Sequence, residues 1–183
     1  MKHKFLVSTV AALLVSAGAT GAIAATTIFS TTLGAAGEPV PTSFATGAAI
    51  VSFDDVASTV TVQMSFQGLA NTAPFGHIHC CTTVAGTGSA GVAVGFTPLP
   101  AVTTGLYSNV FALTPAAFSS LLTGALTGKA YVNIHTPGTY AGGEIRGFLQ
   151  ATVVPEPSTY ALMALGLGVV GGLARRQRLA AKA

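Results

Sequence analysis

Three histidines have the types and spacing that could hold a metal ion. His77 and His79 are separated by Ile78, and in a β-strand such residues point to one face while the residue between them points to the other. His135 shares a face of a second predicted strand with Asn133, so it becomes a third imidazole if the two strands are neighbours. Imidazole is a common ligand of zinc and copper. The alternative is that the three are ordinary strand residues, hydrogen-bonded to polar neighbours or to backbone carbonyls.

Two adjacent cysteines, Cys80 and Cys81, directly follow the first histidine pair and are the only cysteines of the chain. We rank a disulfide between them first, thiolate ligation of the same metal ion second, and links between chains third. The adjacent disulfide is sterically strained, because neighbouring Cα atoms lie ~3.8 Å apart and a disulfide usually needs ~4.4 Å or more. A thiolate ligand would shift the metal preference toward zinc or Cu(I). The candidate metal ligands are therefore His77, His79, His135, Cys80 and Cys81.

No set of residues predicts a catalytic site. Glu144 and Arg146 are two residues apart, and we expect them to form structural ion pairs across strands rather than to act as an acid and a clamp. The sequence has no Gly-x-Ser-x-Gly elbow, and its histidines and acids are too few to assign a catalytic triad. We therefore expect a protein without catalytic activity that could bind a metal ion. The alternative function is that of a copper-dependent redox enzyme or a periplasmic copper carrier.

Short antiparallel strands are predicted to position these residues. Between residues 26 and 153 the chain is rich in Thr, Val, Ala and Gly, with Gly or Pro about every ten residues, as in an all-β protein. The clearest strand is Thr59 to Phe66, where apolar and polar residues alternate. One short helix is expected, capped by Thr114, with Pro115 in its first turn and Gly124 at its end. The predicted fold is an antiparallel, Greek-key-like sandwich or barrel, with further strands near residues 27–33, 49–53, 76–80, 92–96, 107–113, 129–135 and 143–152.

The N-terminus is predicted to be a signal peptide. Lys2 and Lys4 precede an apolar run, and the segment that ends at Ala24 has the small-x-small form that signal peptidase accepts. We therefore expect export, cleavage after Ala24, and a mature β domain over residues 25–153.

The C-terminus is predicted to be a second targeting segment, over residues 154–178. Pro155, Glu156 and Pro157 precede an uncharged helix over residues 160–174 and then a cluster of arginines. The helix would be about 22 Å long, less than the ~30 Å hydrocarbon core, so it is marginal as a permanent membrane anchor. The arginines would stay cytoplasmic with the tail over residues 179–183, which leaves the domain outside the inner membrane.

The distribution of charge argues against nucleic-acid binding. The chain has a net charge of +3, but six of its eight basic residues lie in the two terminal segments. The predicted domain keeps Lys129 and Arg146 against four acidic residues, so its net charge is −2. Binding to nucleic acid requires a basic face that neutralises phosphates, and the domain lacks the cations for one.

Three motifs, in this order, resemble the CHRD domain, which is named from chordin. They are Gly76-His77-Ile78-His79, the segment from Tyr131 to Thr136, and the segment from Gly142 to Gly147, and the region from Leu33 to Gly47 resembles the opening of the family. The resemblance implies a β fold and an extracytoplasmic setting rather than a reaction. It also marks four residues as members of structural motifs: Tyr131, Asn133, Glu144 and Arg146. The chain departs from the family where Cys80-Cys81 replaces the usual Gly-Pro.

The C-terminal segment resembles the PEP-CTERM sorting signal of Gram-negative bacteria. Pro-Glu-Pro, a short apolar helix with glycines and an arginine cluster follow one another between Val154 and Arg178. The resemblance implies processing by an exosortase in the inner membrane, release to the cell surface or the extracellular space, and extracellular polysaccharide as a partner. The alternative is a plain anchor that holds the protein in the membrane through its C-terminal helix.

Overall fold

The computed structural model describes residues 26–72, 74–96, 99–152 and 157–180. Within these residues, nine strands form two antiparallel sheets, and two helices accompany them. The elements are β1 (Thr26–Leu33), β2 (Thr46–Asp54), β3 (Thr59–Gln67), β4 (Phe75–His79), β5 (Val92–Phe96), β6 (Gly105–Ala112), α1 (Pro115–Leu126), β7 (Tyr131–His135), β8 (Ile145–Phe148), β9 (Gln150–Ala151) and α2 (Pro157–Ala180). The first sheet has the order β6-β3-β2-β1-β9, and the second has the order β5-β4-β7-β8. The prediction of an antiparallel all-β domain with a short helix is confirmed.

The core lies between the two sheets and follows the alternation of the sequence. In β3, Val60 and Val62 are fully buried while Gln63 is exposed, as a strand with one dry and one wet face requires. The second sheet contributes Ile78 and Val132, which are also fully buried. The residues on the opposite face of the second sheet therefore point away from the core.

The turn between β2 and β3 is stabilised by the side chain of Asp54. The carboxylate of Asp54 accepts hydrogen bonds from the backbone N–H groups of Val56, at 3.0 Å, and Ala57, at 2.9 Å. This local bonding pattern is the reason that aspartate favours turns. It fixes the register in which Thr59 pairs with Asp54.

The helix α1 begins where the sequence indicated but ends later. The hydroxyl of Thr114 accepts the N–H of Ala117 at 3.3 Å, and Pro115 is in the first turn. Gly124 does not end the helix, which continues to Leu126. The absence of a side chain at Gly124 serves packing instead, because a Cβ there would lie 2.5 Å from Sγ of Cys81 and closer still to Sγ of Cys80.

The predicted strand over residues 143–152 is divided between the two sheets. Its first part, β8, pairs with β7, and its second part, β9, pairs with β1. Leu149 lies between them, 1% exposed, and its N–H donates to the carbonyl of Ala130 at 2.9 Å. The chain thus crosses from one sheet to the other, and an additional bridge joins Gly34 to Arg146.

The targeting segments are only partly covered by the structure. The predicted cleavage position after Ala24 and the motif residues Pro155 and Glu156 lie outside the described residues, while Pro157 begins α2. Among the residues described, no helix is both long and apolar enough to cross a membrane.

Candidate metal site

Strand pairing brings the three histidines together on the outer face of the second sheet. In the β4–β7 register, His77 is opposite Asn133 and His79 is opposite Tyr131. His135 lies two residues beyond Asn133 in β7, opposite Phe75, and therefore on the same face of the sheet. One ligand atom from each histidine lies within 4.8 Å of the others. This is the neighbouring arrangement of strands on which the prediction of a third imidazole depended.

Backbone carbonyls fix the tautomers of two of the rings. Nδ1 of His79 lies 2.8 Å from the carbonyl oxygen of Ala90, and Nδ1 of His135 lies 3.1 Å from that of Ala141. Since a carbonyl oxygen can only accept, each Nδ1 carries a proton, and in the neutral form of the ring the lone pair is then on Nε2. Both Nε2 atoms are buried and have no hydrogen-bond partner among the residues described, and the same holds for Nδ1 of His77.

Aromatic contacts hold the two rings in these orientations. The ring of Phe75 stacks on His135 with centroids 5.0 Å apart, and that of Tyr131 stacks on His79 at 4.8 Å. The guanidinium of Arg146 in turn lies 4.7 Å from the centroid of the Tyr131 ring. The hydrogen bonds and the stacking together position the Nε2 atoms before any ligand arrives. Metal-binding histidines are typically oriented by their other ring nitrogen in this way.

The surroundings keep at least two of the imidazoles uncharged at neutral pH. Burial lowers the pKa of His135 to about 4, with further lowering from His77, His79 and Arg146, although the bond to Ala141 opposes the change. Burial, followed by the proximity of His79, also lowers the pKa of His77. Neutral imidazole is the form that binds metal ions.

Acid is expected to destabilise the protein through His135. Its pKa is about 4 in the folded state and roughly 6.5 in an unfolded chain, so the unfolded state binds more protons between these values. The free energy of unfolding should therefore decrease as pH falls from roughly 6.5 to about 4. Urea denaturation at pH 7.5 and pH 5 should show a smaller loss for His135→Gln than for the wild type. Equal losses in the two proteins would contradict this assignment.

The two cysteines are not part of the histidine cluster. Cys80 and Cys81 are bonded to each other, which is the state ranked first from the sequence. The side chain of Cys80 packs against the hydrophobic core, and both sulfurs face Gly124 of α1. The group of potential ligands consists of the three histidines alone among the described residues. The cysteine part of the predicted ligand set, Cys80 and Cys81, is therefore not found beside the histidines in this arrangement.

A buried ion pair between Arg146 and Glu38 lies beside the histidines. Arg146 donates to the carboxylate of Glu38 at 2.6 Å, and both side chains are almost completely buried. Asn133 also donates to Glu38, and a second guanidinium nitrogen of Arg146 donates to the carbonyl of Gly88 at 2.9 Å. Arg146 therefore has a structural ion pair, as expected, but its partner Glu38 lies in a loop rather than on a strand. Glu144 accepts hydrogen bonds from three other residues. The sequence did not reveal the role of Glu38. The only indication was that Glu38 lies in the region from Leu33 to Gly47, which resembles the opening of the family.

The second buried carboxylate, Glu144, joins three loops. It accepts hydrogen bonds from the hydroxyl of Ser43 at 2.7 Å, from the N–H of Ala70 at 2.9 Å, and from the hydroxyl of Thr136. Its side chain is fully buried. These bonds satisfy a charge that would otherwise be costly to bury, so Glu144 has a structural part, as expected for a motif residue.

Comparisons with known proteins agree with the two resemblances noted in the sequence. The family model for the CHRD domain matches residues 29–149, and the model for the PEP-CTERM protein-sorting motif matches residues 153–178. Neither the curated proteins nor the solved structures contain a match.

Proposed function

The chain belongs to the CHRD domain family, and from this premise we propose that it is an exported surface protein whose β domain binds a zinc or copper ion. The ligands are His77, His79 and His135. The observation that supports the site is the pair of buried Nε2 atoms, on His79 and His135, that have lone pairs and no partner. A buried polar atom normally has a hydrogen-bond partner, so two ring nitrogens without one, in a cluster whose ligand atoms lie within 4.8 Å of one another, favour a bound cation.

The donor set suits a borderline metal ion. Three imidazoles without a carboxylate match the preferences of zinc and copper rather than those of calcium or magnesium. Ligand atoms 4.8 Å apart must approach by about 1–2 Å to reach the spacing set by metal–nitrogen bonds of ~2.0 Å. Small rotations of His77 can supply much of this movement, because it is the least buried of the three rings.

We propose binding without catalysis for this site. General acid–base catalysis at this site would need an acid or base free to exchange protons beside the metal. The nearby carboxylates of Glu38 and Glu144 are instead occupied by Arg146, Asn133 and the hydrogen bonds of three loops.

Titration of the purified protein with Zn²⁺ and with Cu²⁺ tests the proposal. We expect one ion per chain, and metal analysis of protein purified without chelators should find zinc or copper at that ratio. Absence of binding by both ions at neutral pH would contradict the site. Tightly bound copper together with turnover in an oxidase or dismutase assay would favour the alternative, a copper-dependent enzyme.

Export is supported by the sorting motif at residues 153–178, which implies processing by exosortase in a Gram-negative bacterium. We propose that the mature protein resides at the cell surface or in the extracellular matrix, with extracellular polysaccharide as a candidate partner. Mass spectrometry of surface material from a host with an exosortase should find a chain that begins at Ala25 and lacks the segment from Arg175 to Ala183. Recovery of that segment in the surface fraction would contradict processing.

A further inference from the structure

We propose that the Cys80–Cys81 disulfide is a site of thiol–disulfide exchange with an external dithiol, and that its reduction weakens metal binding at the histidine cluster. The inference rests on the proposed function, since it concerns the regulation of the same metal site. Cys80 directly follows the proposed metal ligand His79 in the chain. Both sulfurs of the disulfide lie against Gly124 of α1, and the group of potential ligands among the described residues contains no cysteine. The disulfide can therefore affect the site through the backbone without supplying a ligand.

The backbone next to the disulfide supports the ring of His79. The N–H of Cys80 donates to the carbonyl of Gly91 at 3.1 Å. The preceding residue, Ala90, provides the carbonyl that holds Nδ1 of His79 at 2.8 Å, and its own N–H donates to the hydroxyl of Tyr131 at 3.3 Å. A displacement of Cys80 is thus transmitted to the group that sets the tautomer and the orientation of His79.

Reduction must displace one of the cysteines. Bonded sulfurs lie ~2.05 Å apart, whereas two separate thiols need a van der Waals distance of roughly 3.5–4 Å. The helix blocks one direction, because the space beside Gly124 is too small even for a methyl group. The helix itself is anchored there by Leu121 and Ala125, which are each 2% exposed. The segment that contains Cys80 and Cys81 must therefore move to separate the two sulfurs.

The disulfide is accessible to an attacking thiolate. Cys81 is exposed and lies in an open groove of about 530 Å³, which is also lined by Ser120, Thr123 and Lys129. Lys129 gives this groove a positive charge, and positive charge is typical of reactive cysteine sites.

The exchange proceeds in two balanced steps. The first thiolate of the dithiol attacks Sγ of Cys81, the bond to Sγ of Cys80 breaks, and Cys80 leaves as a thiolate that takes up a proton. The second thiolate of the dithiol then attacks the first sulfur of the same dithiol in the mixed disulfide. Cys81 leaves as a thiolate that takes up a proton. Two electrons pass to the protein, and the dithiol becomes a disulfide. In an oxidising compartment the Cys80–Cys81 bond is the resting state.

Zn²⁺ titration of the full chain in its two redox states tests the inference. One sample is kept oxidised, and the other is treated with dithiothreitol, which is then removed without oxygen. We expect the Zn²⁺ dissociation constant to increase by about 10- to 100-fold on reduction, the cost typical of losing an outer support of a metal ligand. Reoxidation should restore the original value. The Cys80→Ser/Cys81→Ser variant is the matched control, and its affinity should not respond to the dithiol.

Each outcome can be assigned. Equal or tighter Zn²⁺ binding by the reduced chain, when the oxidised chain binds, overturns the redox coupling and leaves the metal site intact. Absence of Zn²⁺ binding by the oxidised chain overturns the metal site and the coupling with it. Titration with Co²⁺ tests whether the reduced cysteines become metal ligands, because thiolate ligation of Co²⁺ produces a charge-transfer band. Such a band in the reduced chain would show that the cysteines become ligands, and this also contradicts the proposal.

Discussion

Replacing His79 with alanine is expected to lower the Zn²⁺ affinity by more than about 100-fold, beyond the usual cost of losing an outer support. Its Nε2 is one of the two buried lone pairs that the carbonyls of Ala90 and Ala141 prepare for a ligand. Only two imidazoles, those of His77 and His135, then remain for an ion that prefers four ligands. A water molecule would have to take the place of the His79 imidazole. Calorimetric titration of the variant and the wild type at pH 7.5 measures the change.

The fold should largely survive this substitution. His79 packs on the ring of Tyr131, and losing such a ring contact costs about 0.5–1.5 kcal/mol. Urea denaturation without metal should therefore show a modest change for His79→Ala. Gln63→Ala is the matched control, because Gln63 is exposed on the other sheet, and both its stability and its Zn²⁺ affinity should stay near the wild-type values. An unchanged affinity in a folded His79→Ala protein would remove the metal site.

The orientation of the histidines could be predicted because it depends on local periodicity. Alternation along a strand places His77 and His79 opposite Ile78 whatever the rest of the fold does, and Ile78 is indeed in the core. The proximity of His135 required a further fact, the pairing of β4 with β7. Residue spacing does not specify which strands become neighbours, so this part of the prediction was conditional.

The environment of the site could not be predicted, because it depends on contacts between distant segments. Glu38 and Arg146 are 108 residues apart in sequence, and no periodicity links them. Similarly, the carbonyls of Ala90 and Ala141 belong to loops, and any residue type could supply them. Gly124 was misread for a related reason, since a glycine near the end of a helix usually marks its termination and the packing of the disulfide is invisible in the sequence.

Breaking the buried ion pair is expected to produce the largest loss of stability. Glu38→Gln keeps the shape of the side chain but leaves the guanidinium of Arg146 without its counter-charge in a site where it is only 7% exposed. Removing one partner of a buried pair typically costs about 3–5 kcal/mol, whereas replacing both can be nearly neutral. We therefore expect Glu38→Gln to lower the free energy of unfolding by an amount in this range.

A double-mutant cycle distinguishes the ion pair from the other contacts of the two residues. Arg146→Met removes the cation while keeping much of the volume, and the double variant Glu38→Gln/Arg146→Met should be less destabilised than the sum of the single variants. For residues in direct contact the coupling is about 0.5–3 kcal/mol, and we expect the upper part of this range because both charges are buried. Urea denaturation of the four proteins at pH 7.5 gives the coupling energy. A value near zero would show that Arg146 is held by the carbonyl of Gly88 and the ring of Tyr131 rather than by Glu38.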